Sequence, residues 1–501
     1  MVPVSGSLAE VPVDGVEIAF EFTREVSLPD NVAAEVSFSG GALSASWGKD
    51  KSILVLRPVD KLNHFTRYSV AIGAGEHFGV NVLESFRVEF TTAYDPADKF
   101  ERIPDEDLLT LVQRQTFKYF WDYAHPGCGL ARERLGSDNT VAIGGSGFGI
   151  MGIPVAVERG FISREQAVER LRKILDFLGG KAQRFHGAYP HWIDGGSGAV
   201  IPFSAKDNGG DLVETAFLIQ GLLAVAGYFD RPEEADIRSS VDAIWRGVEW
   251  DWYTRGSKAL YWHWSPSQEW AMNMSISGWN EGLIVYVLAA SSPTHPITRD
   301  VYEQGWARGG GIRNGRKFYG VTLPLGSDYG GPMFFAHYSF MGLDPRGLED
   351  AYAQYWEQNT AHARINYEYC RANPKGHAGY SESCWGLTAS DIPGGYSASS
   401  PTNDKGVIAP TAALASYPYV PEESLAAMRT FYYIYGDRMW GDYGFFDAMC
   451  LDKAWFASSY IAIDQGPIVV MIENGRTGLL WDCFMKHPDV LKGLQALGFK
   501  R

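Results

Sequence analysis

Hydrophobic and polar residues alternate with a period of two at three places in the first part of the chain. Such alternation is typical of strands that bury one face. Turn-forming residues at 29–31 and 40–41 separate the segments. Short strands at this spacing predict an all-β, immunoglobulin-like sandwich over residues 1–95. The alternating segments are 16–22, 53–56 and 86–92.

The hydrophobic period changes to 3.6 after residues 94–98, which form the predicted linker. The segment from Asp107 to Tyr123 carries its apolar residues on or near one stripe, as an amphipathic helix does. Many such segments and few strand signals predict a mainly α fold. Helices in pairs with long loops favour an (α/α)6 toroid over residues 96–501, although the period alone leaves other helical arrays open. Further helices are predicted at 149–159, 163–179, 211–228, 233–251, 277–290, 346–372, 421–435 and 465–485.

The composition narrows the class of partner. A chain of 501 residues exceeds what one core usually holds, which agrees with two domains. No apolar run reaches the ~18 residues of a membrane helix, so no membrane insertion is expected. The formal net charge is −15 and the basic residues are scattered, which makes nucleic acid and anionic membranes poor partners and favours a neutral ligand.

The N-terminus and the cysteines bear on the compartment. Residues 1–5 lack a basic start and are followed by no apolar stretch. We therefore expect a periplasmic or extracellular protein whose signal has been removed, with a cytoplasmic location left open. The five cysteines show no CxxC pair and no metal-binding spacing, so we predict core thiols and no metal site. We expect a monomer or a weak dimer.

Aromatic residues are unusually frequent, with 16 Trp and 26 Tyr, nearly all after residue 115. Most are expected in the core, but aromatic rings also stack on the flat faces of sugars. Three loop segments combine aromatic and polar residues, namely 185–193, 261–266 and 382–391. With Trp279 they supply the predicted ligand contacts, which are Trp192, His263, Trp264, Trp279, Glu382, Trp385 and Asp391. For His263 alone, an ordinary loop histidine is the simpler interpretation.

Carboxylates stand at three predicted helix starts. Asp207, Asp211 and Glu214 surround the first, Glu281 lies in the first turn of the second, and Asp464 precedes the third. Each alone is explained by helix capping or by the helix dipole. In a toroid, however, the inner helices run the same way and their N-termini ring one mouth, so these acids are expected to converge on one cleft.

Converging carboxylates are what glycosidic cleavage needs. One carboxylic acid protonates the leaving oxygen, and one carboxylate acts as base or nucleophile. A helix N-terminus favours the ionised base, whereas neighbouring carboxylates raise the pKa of the acid. The acids at 207, 211 and 214 are candidates to exert this effect on Glu281.

From about Leu108 to Phe499 the chain resembles the glucoamylase-like bacterial glycosidases, including glycoside hydrolase family 144. The resemblance implies an (α/α)6 barrel, hydrolysis of β-1,2-glucan with inversion, and no cofactor. It implies that Glu281 is the general acid, that Asp464 is the base, and that Asp207, Asp211 and Glu214 are cleft acids. Asp391 and Asp447 remain rivals for the base. The blocks that carry the resemblance are 184–187, 207–215, 248–253, 261–266, 292–296, 385–391, 409–414 and 464–481.

Three other functions stay open from the sequence. A β-glucosidase or a glucanase for another linkage would keep the same acids, because pocket shape decides linkage. A non-catalytic glycan-binding protein would keep the aromatic platforms without needing the acids. A polysaccharide lyase also uses such toroids, but its acidic sugar ligand is disfavoured by the net charge of −15.

Overall fold

A computed structural model describes residues 8–501. The expectation about residues 1–5 therefore lies outside the described residues. The chain divides into two compact units. The first holds residues up to Asp98 with Lys375–Gly379 and Cys450–Trp455, and the second holds Lys99–Pro374, Tyr380–Met449 and Phe456–Arg501.

The first unit is built from antiparallel strands, and all three alternating segments are strands. One sheet has the order β1-β4-β3, another has the order β2-β5-β8, and β6 pairs with β7. Phe20, Leu54 and Val70 belong to one apolar core that strands of both sheets share. The elements are β1 Ile18–Glu21, α1 Val32–Glu35, β2 Ser37–Phe38, β3 Leu43–Trp47, β4 Ile53–Pro58, β5 Arg67–Ile72, β6 Gly75–His77, β7 Val80–Val82 and β8 Phe86–Thr91.

The second unit is mainly helical, as predicted. Its α-helices are α2 Asp105–Trp121, α3 Ile143–Glu158, α4 Arg164–Gly180, α5 Leu212–Tyr228, α6 Ala235–Arg246, α7 Leu283–Ser291, α8 Arg299–Val301, α9 Tyr355–Ala372, α10 Pro410–Leu414, α11 Pro421–Arg429, α12 Gly436–Met439, α13 Ala462–Arg476, α14 Leu479–Met485 and α15 Pro488–Leu497. Short strands fill the long loops, namely β9 Thr140–Ala142, β10 Trp192–Asp194, β11 Val200–Ile201, β12 Gly210–Asp211, β13 His263–Trp264, β14 Lys317–Phe318, β15 Val321–Thr322, β16 Ala389–Ile392, β17 Gly395–Ala398, β18 Trp440–Gly441 and β19 Gly444–Phe445. The strands β20 Met449–Cys450 and β21 Trp455–Phe456 stand at the two ends of the segment Cys450–Trp455.

Helices of two kinds make up this unit. Helices α3, α5, α7 and α13 are buried over nearly their whole length. The first three are apolar on nearly all sides, whereas α13 also buries Asp464, Gln465, Glu473 and Asn474. Helices α4 and α6 bury a residue only every three or four positions, as amphipathic helices do. Helix α3 packs against α5 and α13, and α5 packs against α7. The fully buried helices therefore form the centre of the unit.

Two glycines let α3 and α5 touch through their backbones. A Cβ atom on Gly147 would lie 2.3 Å from the carbonyl oxygen of Phe217. A Cβ atom on Gly221 would lie 2.3 Å from the carbonyl oxygen of Gly147. No side chain larger than hydrogen fits at such distances, so the glycines set the spacing of these helices.

Two further features concern membrane-spanning helices and cysteines. Within residues 8–501, no helix is both long and apolar enough to cross a membrane. All five cysteines are buried free thiols.

Candidate active site

A cavity of about 440 Å³ opens in the helical unit. It is apolar over much of its wall but also presents ionisable groups. Its aromatic lining comprises Trp192, Phe203, Phe217, Trp262, Phe334, Tyr338 and Tyr396, and its ionisable lining comprises Glu133, Arg134, His191, Glu214 and Glu281. This mixture of rings and converging polar groups is typical of a small-molecule site.

The N-terminus of α5 holds one side of the cavity in place. Asp211 caps the helix, since its Oδ1 accepts hydrogen bonds from the backbone N–H groups of Val213 and Glu214, both at 3.0 Å. The bridge between β12 and β13 pairs Asp211 with His263. The capping interpretation of Asp211 therefore holds, and the same residue also faces a histidine.

Two histidines lie among three carboxylates at this helix start. His191 Nδ1 is 3.0 Å from Asp211 Oδ2 and 3.8 Å from Asp207 Oδ2. His263 Nε2 lies 3.3 Å from Asp207 Oδ2 and 3.4 Å from Asp211 Oδ2. His191 Nε2 is also 4.0 Å from Glu214 Oε1. We call these five residues the His191 cluster.

The charges within the His191 cluster are balanced by pairing. Burial disfavours the charged imidazole of His191, but Glu214, Asp211 and Asp207 outweigh it and raise its pKa to about 9. His263 has its pKa raised to about 10 by Asp207 and Asp211, again against the effect of burial. The two histidines in turn hold the pKa of Asp211 well below its usual range, although burial opposes this. At neutral pH the cluster thus contains two cations and an ionised Asp211.

Glu214 and Glu281 differ from Asp211 because burial dominates their environment. Glu214 Oε2 accepts a 2.7 Å hydrogen bond from the Gly144 N–H, yet burial and the neighbouring carboxylates raise its pKa to about 7. Glu281 lies two residues before α7, and burial followed by the charges of Glu214 and Asp211 raises its pKa to about 7. Two carboxyl groups that carry protons near neutral pH therefore face the cavity beside an ionised one.

A second group of acids lies at the N-terminus of α13, in β16 and between β19 and β20. We call Asp391, Asp447 and Asp464 the Asp391 cluster. The Asp447 Oδ2 atom accepts a 2.6 Å hydrogen bond from the Asp391 N–H. Asp391 is also bound to Arg134 at 3.2 Å and to the Ser459 hydroxyl at 2.5 Å. Burial first, and Asp391 after it, raises the pKa of Asp447 to about 7.

Two tyrosines connect these two clusters electrostatically. Tyr338 lines the cavity, and after burial its pKa is raised by Asp464, Tyr396, Glu281 and Glu214. Tyr396 pairs with Asp391 across β16 and β17 and lines the same cavity as Tyr338. Acids that are far apart in the sequence therefore surround one cavity.

The His191 cluster also has the composition of a metal site. Single ligand atoms of His191, Asp207 and Asp211 lie within 4.8 Å of one another. His191 and His263 form ion pairs with Asp207 and Asp211 in this arrangement. The expectation of no metal and no cofactor stays a prediction.

The structure brings most predicted site residues to one place. Trp192 and the glutamates at 214 and 281 line the cavity, and Asp207, Asp211 and His263 lie directly behind it. Asp391 and Asp464 belong to the second cluster, and the chemical roles predicted for all these residues remain predictions.

Two predicted sugar-stacking residues are instead part of the core. Trp279 is 7% exposed and packs against Phe340 and Tyr355. Trp385 is 0% exposed, and its indole N–H donates to the Glu423 carbonyl. Neither ring has a free face for a ligand, so we replace the predicted contact by a packing role.

Trp264 and Glu382 also lie outside the cavity lining. Trp264 packs edge-on against His186 and Trp252, with ring centroids 5.3 and 5.5 Å apart. Glu382 is exposed in the turn that pairs Ser381 with Cys384. The spacing of aromatic and polar residues suggested Trp264 and Glu382 as ligand contacts, but it belongs to loop segments outside the cavity wall.

Several lining residues were not predicted. His191 belongs to the segment 185–193 that drew attention, and its position next to Trp192 was the available signal. Glu133 and Arg134 have no such signal, because only the fold brings Arg134 to Asp391. The aromatic and ionisable cavity residues missing from the prediction are Glu133, Arg134, His191, Phe203, Phe217, Trp262, Phe334, Tyr338 and Tyr396.

Comparisons with known proteins agree with this architecture. The family model "Glycoamylase" matches residues 273–488. The exo-β-1,2-glucooligosaccharide sophorohydrolase (non-reducing end) of Parabacteroides distasonis is 44% identical over 461 residues, which cover 87% of this chain. The chain spans 64% of the length of that curated relative.

Two solved structures extend the similarity to three dimensions. The β-1,2-glucanase of Parabacteroides distasonis is 40% identical with a TM-score of 0.77, covering 99% of this chain and 72% of that one. The endo-β-1,2-glucanase of Chitinophaga pinensis, solved with sophorotriose and glucose, is 50% identical with a TM-score of 0.78, covering 80% of this chain and 99% of that one. With this identity over nearly the whole of a solved relative, the chain belongs to the glucoamylase-like family of bacterial glycosidases, glycoside hydrolase family 144.

Proposed function

We propose that this protein hydrolyses β-1,2-glucan or its oligosaccharides, with Glu281 as the general acid. The observation that carries the proposal is the cavity in which a proton-bearing Glu281 lies near the ionised Asp211. The relatives named for β-1,2-glucan supply the linkage. Substrate is the only partner that this proposal needs.

The proposed chemistry uses the two protonation states of the carboxyl groups. Sugar rings stack on Trp192 and Trp262 at the cavity wall. Glu281 gives its proton to the glycosidic oxygen as the bond from C1 to that oxygen breaks. Water adds to C1, and its proton passes to a carboxyl group of the Asp391 cluster, with Asp464 as the candidate base.

Product analysis on linear β-1,2-glucan tests the function. New reducing ends are expected from this polymer, and a panel of glucobioses distinguishes the linkage. A range of product lengths indicates endo cleavage, whereas sophorose alone indicates exo cleavage, and the named relatives include both modes. Binding without product indicates a glycan-binding protein, and cleavage of only another glucobiose indicates another linkage.

The stereochemical outcome is a separate part of the proposal. If water adds directly, the product from a β-linkage first appears as the α-anomer. Proton NMR during the first minutes of hydrolysis distinguishes the anomers. A β-anomer as first product excludes inversion but leaves the hydrolase function intact.

The finer architecture and location also belong to the proposal. We propose an (α/α)6 toroid over residues 96–501, supported by the apolar helices α3, α5, α7 and α13 at the centre of their unit. We propose an immunoglobulin-like module over residues 1–95, supported by two antiparallel sheets that share one core. A crystal structure of the whole chain tests both. A periplasmic or extracellular location is tested by fractionation of the source cells.

The pH dependence of catalysis should follow the protonation state of the Glu281 carboxyl group. Only the protonated carboxyl group can donate, and the pKa of Glu281 is raised to about 7 by burial and by neighbouring carboxylates. We therefore expect kcat/KM on β-1,2-glucan to fall as the pH rises through about 7, whereas an ordinary glutamic acid would already lose its proton near pH 4.3. The measurement is initial rate at low substrate between pH 5 and 9. Constant activity up to pH 9 would exclude Glu281 as donor.

A further inference from the structure

The Asp391 cluster contains a carboxyl pair that the proposed chemistry leaves unexplained. Asp464 is 2% exposed and Asp447 is 3% exposed. Among residues 8–501, no donor group reaches either carboxylate oxygen of Asp464 or the Oδ1 atom of Asp447. Buried carboxylates without donors are costly, so another arrangement must satisfy these oxygens.

The two side chains satisfy each other if one proton lies between them. Their carboxyl groups are in hydrogen-bonding contact, and two ionised carboxylates cannot form such a bond because both only accept. Like charges at this separation keep one of the two groups protonated. A shared proton removes the repulsion and supplies the missing donor.

The surroundings hold this pair in place. The Asp391 N–H fixes Asp447 Oδ2, and the Thr411 hydroxyl donates to the Asp464 carbonyl at 2.7 Å. Asp391 itself is neutralised by Arg134. The charged and titratable groups that face the pair are Asp391, Arg134, Tyr338 and Tyr396.

The pair also lies against the cavity. Ile461 and Ile463, on either side of the α13 start, line the cavity wall, as do Tyr338 and Tyr396. Asp464 is the next residue along the chain. Asp464 therefore lies just behind this part of the cavity wall, next to a residue that lines it.

We propose that Asp447 and Asp464 share one proton and act as one base, with Asp447 a positioning residue that works through Asp464. The inference rests on the proposed function and assigns the proton acceptor of that reaction. As water adds to C1, one of its protons passes to Asp464, and the shared proton moves fully to Asp447. The pair then holds two protons, Glu281 has lost one, and exchange with solvent restores both.

A double-mutant comparison tests the pair. The variants are Asp447→Asn, Asp464→Asn and the combination, assayed on linear β-1,2-glucan across pH. We expect each single variant to lose about 100- to 10,000-fold in kcat, because neither can complete the proton transfer. The combination should lose no more than the worse single variant, since residues that act as a unit are not additive. The decline of kcat/KM toward low pH, caused in the parent by full protonation of the pair, should disappear in all three.

Controls separate chemistry from folding. Asp442→Asn makes the same change at an exposed position and should keep the parent rate. Thermal unfolding of each variant reports whether the fold is retained. A parent rate in Asp447→Asn, or additive losses with an unchanged low-pH decline, would overturn the shared base. Absence of hydrolysis by the parent protein would instead overturn the proposed function.

Discussion

Glu281→Gln should lower kcat on β-1,2-glucan by about 100- to 10,000-fold, with little change in KM. Glutamine keeps the shape of the side chain but cannot give a proton to the glycosidic oxygen. The loss should shrink strongly for a substrate with an acidic leaving group, such as a dinitrophenyl sophoroside, because that bond breaks without protonation. Initial rates on both substrates measure the difference.

A matched change away from the cavity controls this experiment. Glu233 is exposed, so Glu233→Gln should hydrolyse both substrates at the parent rate. If Glu281→Gln cleaves the polymer at the parent rate, another group is the acid, and Glu214, whose pKa is also raised to about 7, becomes the next candidate.

Gly147→Ala should destabilise the helical unit by about 3 kcal/mol or more. The added methyl group would lie 2.3 Å from the Phe217 carbonyl oxygen and 2.6 Å from the Leu218 Cα. Both are backbone atoms, so α3 and α5 would have to separate, and apolar packing along both helices would be lost. Urea unfolding followed by circular dichroism measures the change in the free energy of unfolding.

Gly179→Ala is the control for helix propensity. Gly179 lies in α4, and no atom stands within 4 Å of a Cβ built there. Alanine should stabilise this site by about 0.5–1 kcal/mol, since it restricts the unfolded chain and favours the helix. Equal stability of both variants and the parent would show that contact between the α3 and α5 backbones does not limit the fold.

The sequence predicted the helices best where their apolar stripe is regular. The predicted helix at 163–179 appears as Arg164–Gly180, with a capping box at Ser163. The helix predicted from 149 begins at Ile143, because its first residues include four glycines that local propensity disfavours and close packing requires. The helix predicted at 465–485 breaks where Gly478 adopts a φ of 78°. The local sequence pattern therefore predicts neither the close packing at the start of α3 nor the break at Gly478.

The candidate site was predicted in part for a similar reason. Acids near helix starts, such as Asp211, carry a local signal, and the fold indeed gathers them. Trp279 and Trp385 carried the aromatic signal of a sugar site but are core residues, because a stacking ring and a packed ring look alike in sequence. Arg134 and Tyr338 reach the cavity only through contacts between distant segments, which no spacing encodes.

The buried thiols have a consequence for handling the protein. Its five cysteines form no disulfide bond, so the native fold does not depend on an oxidising environment. Once unfolded, all five sulfur atoms become reachable by oxygen and by one another. Heat damage in air should then become permanent through mismatched bridges, while a reductant added before heating should let activity return on cooling.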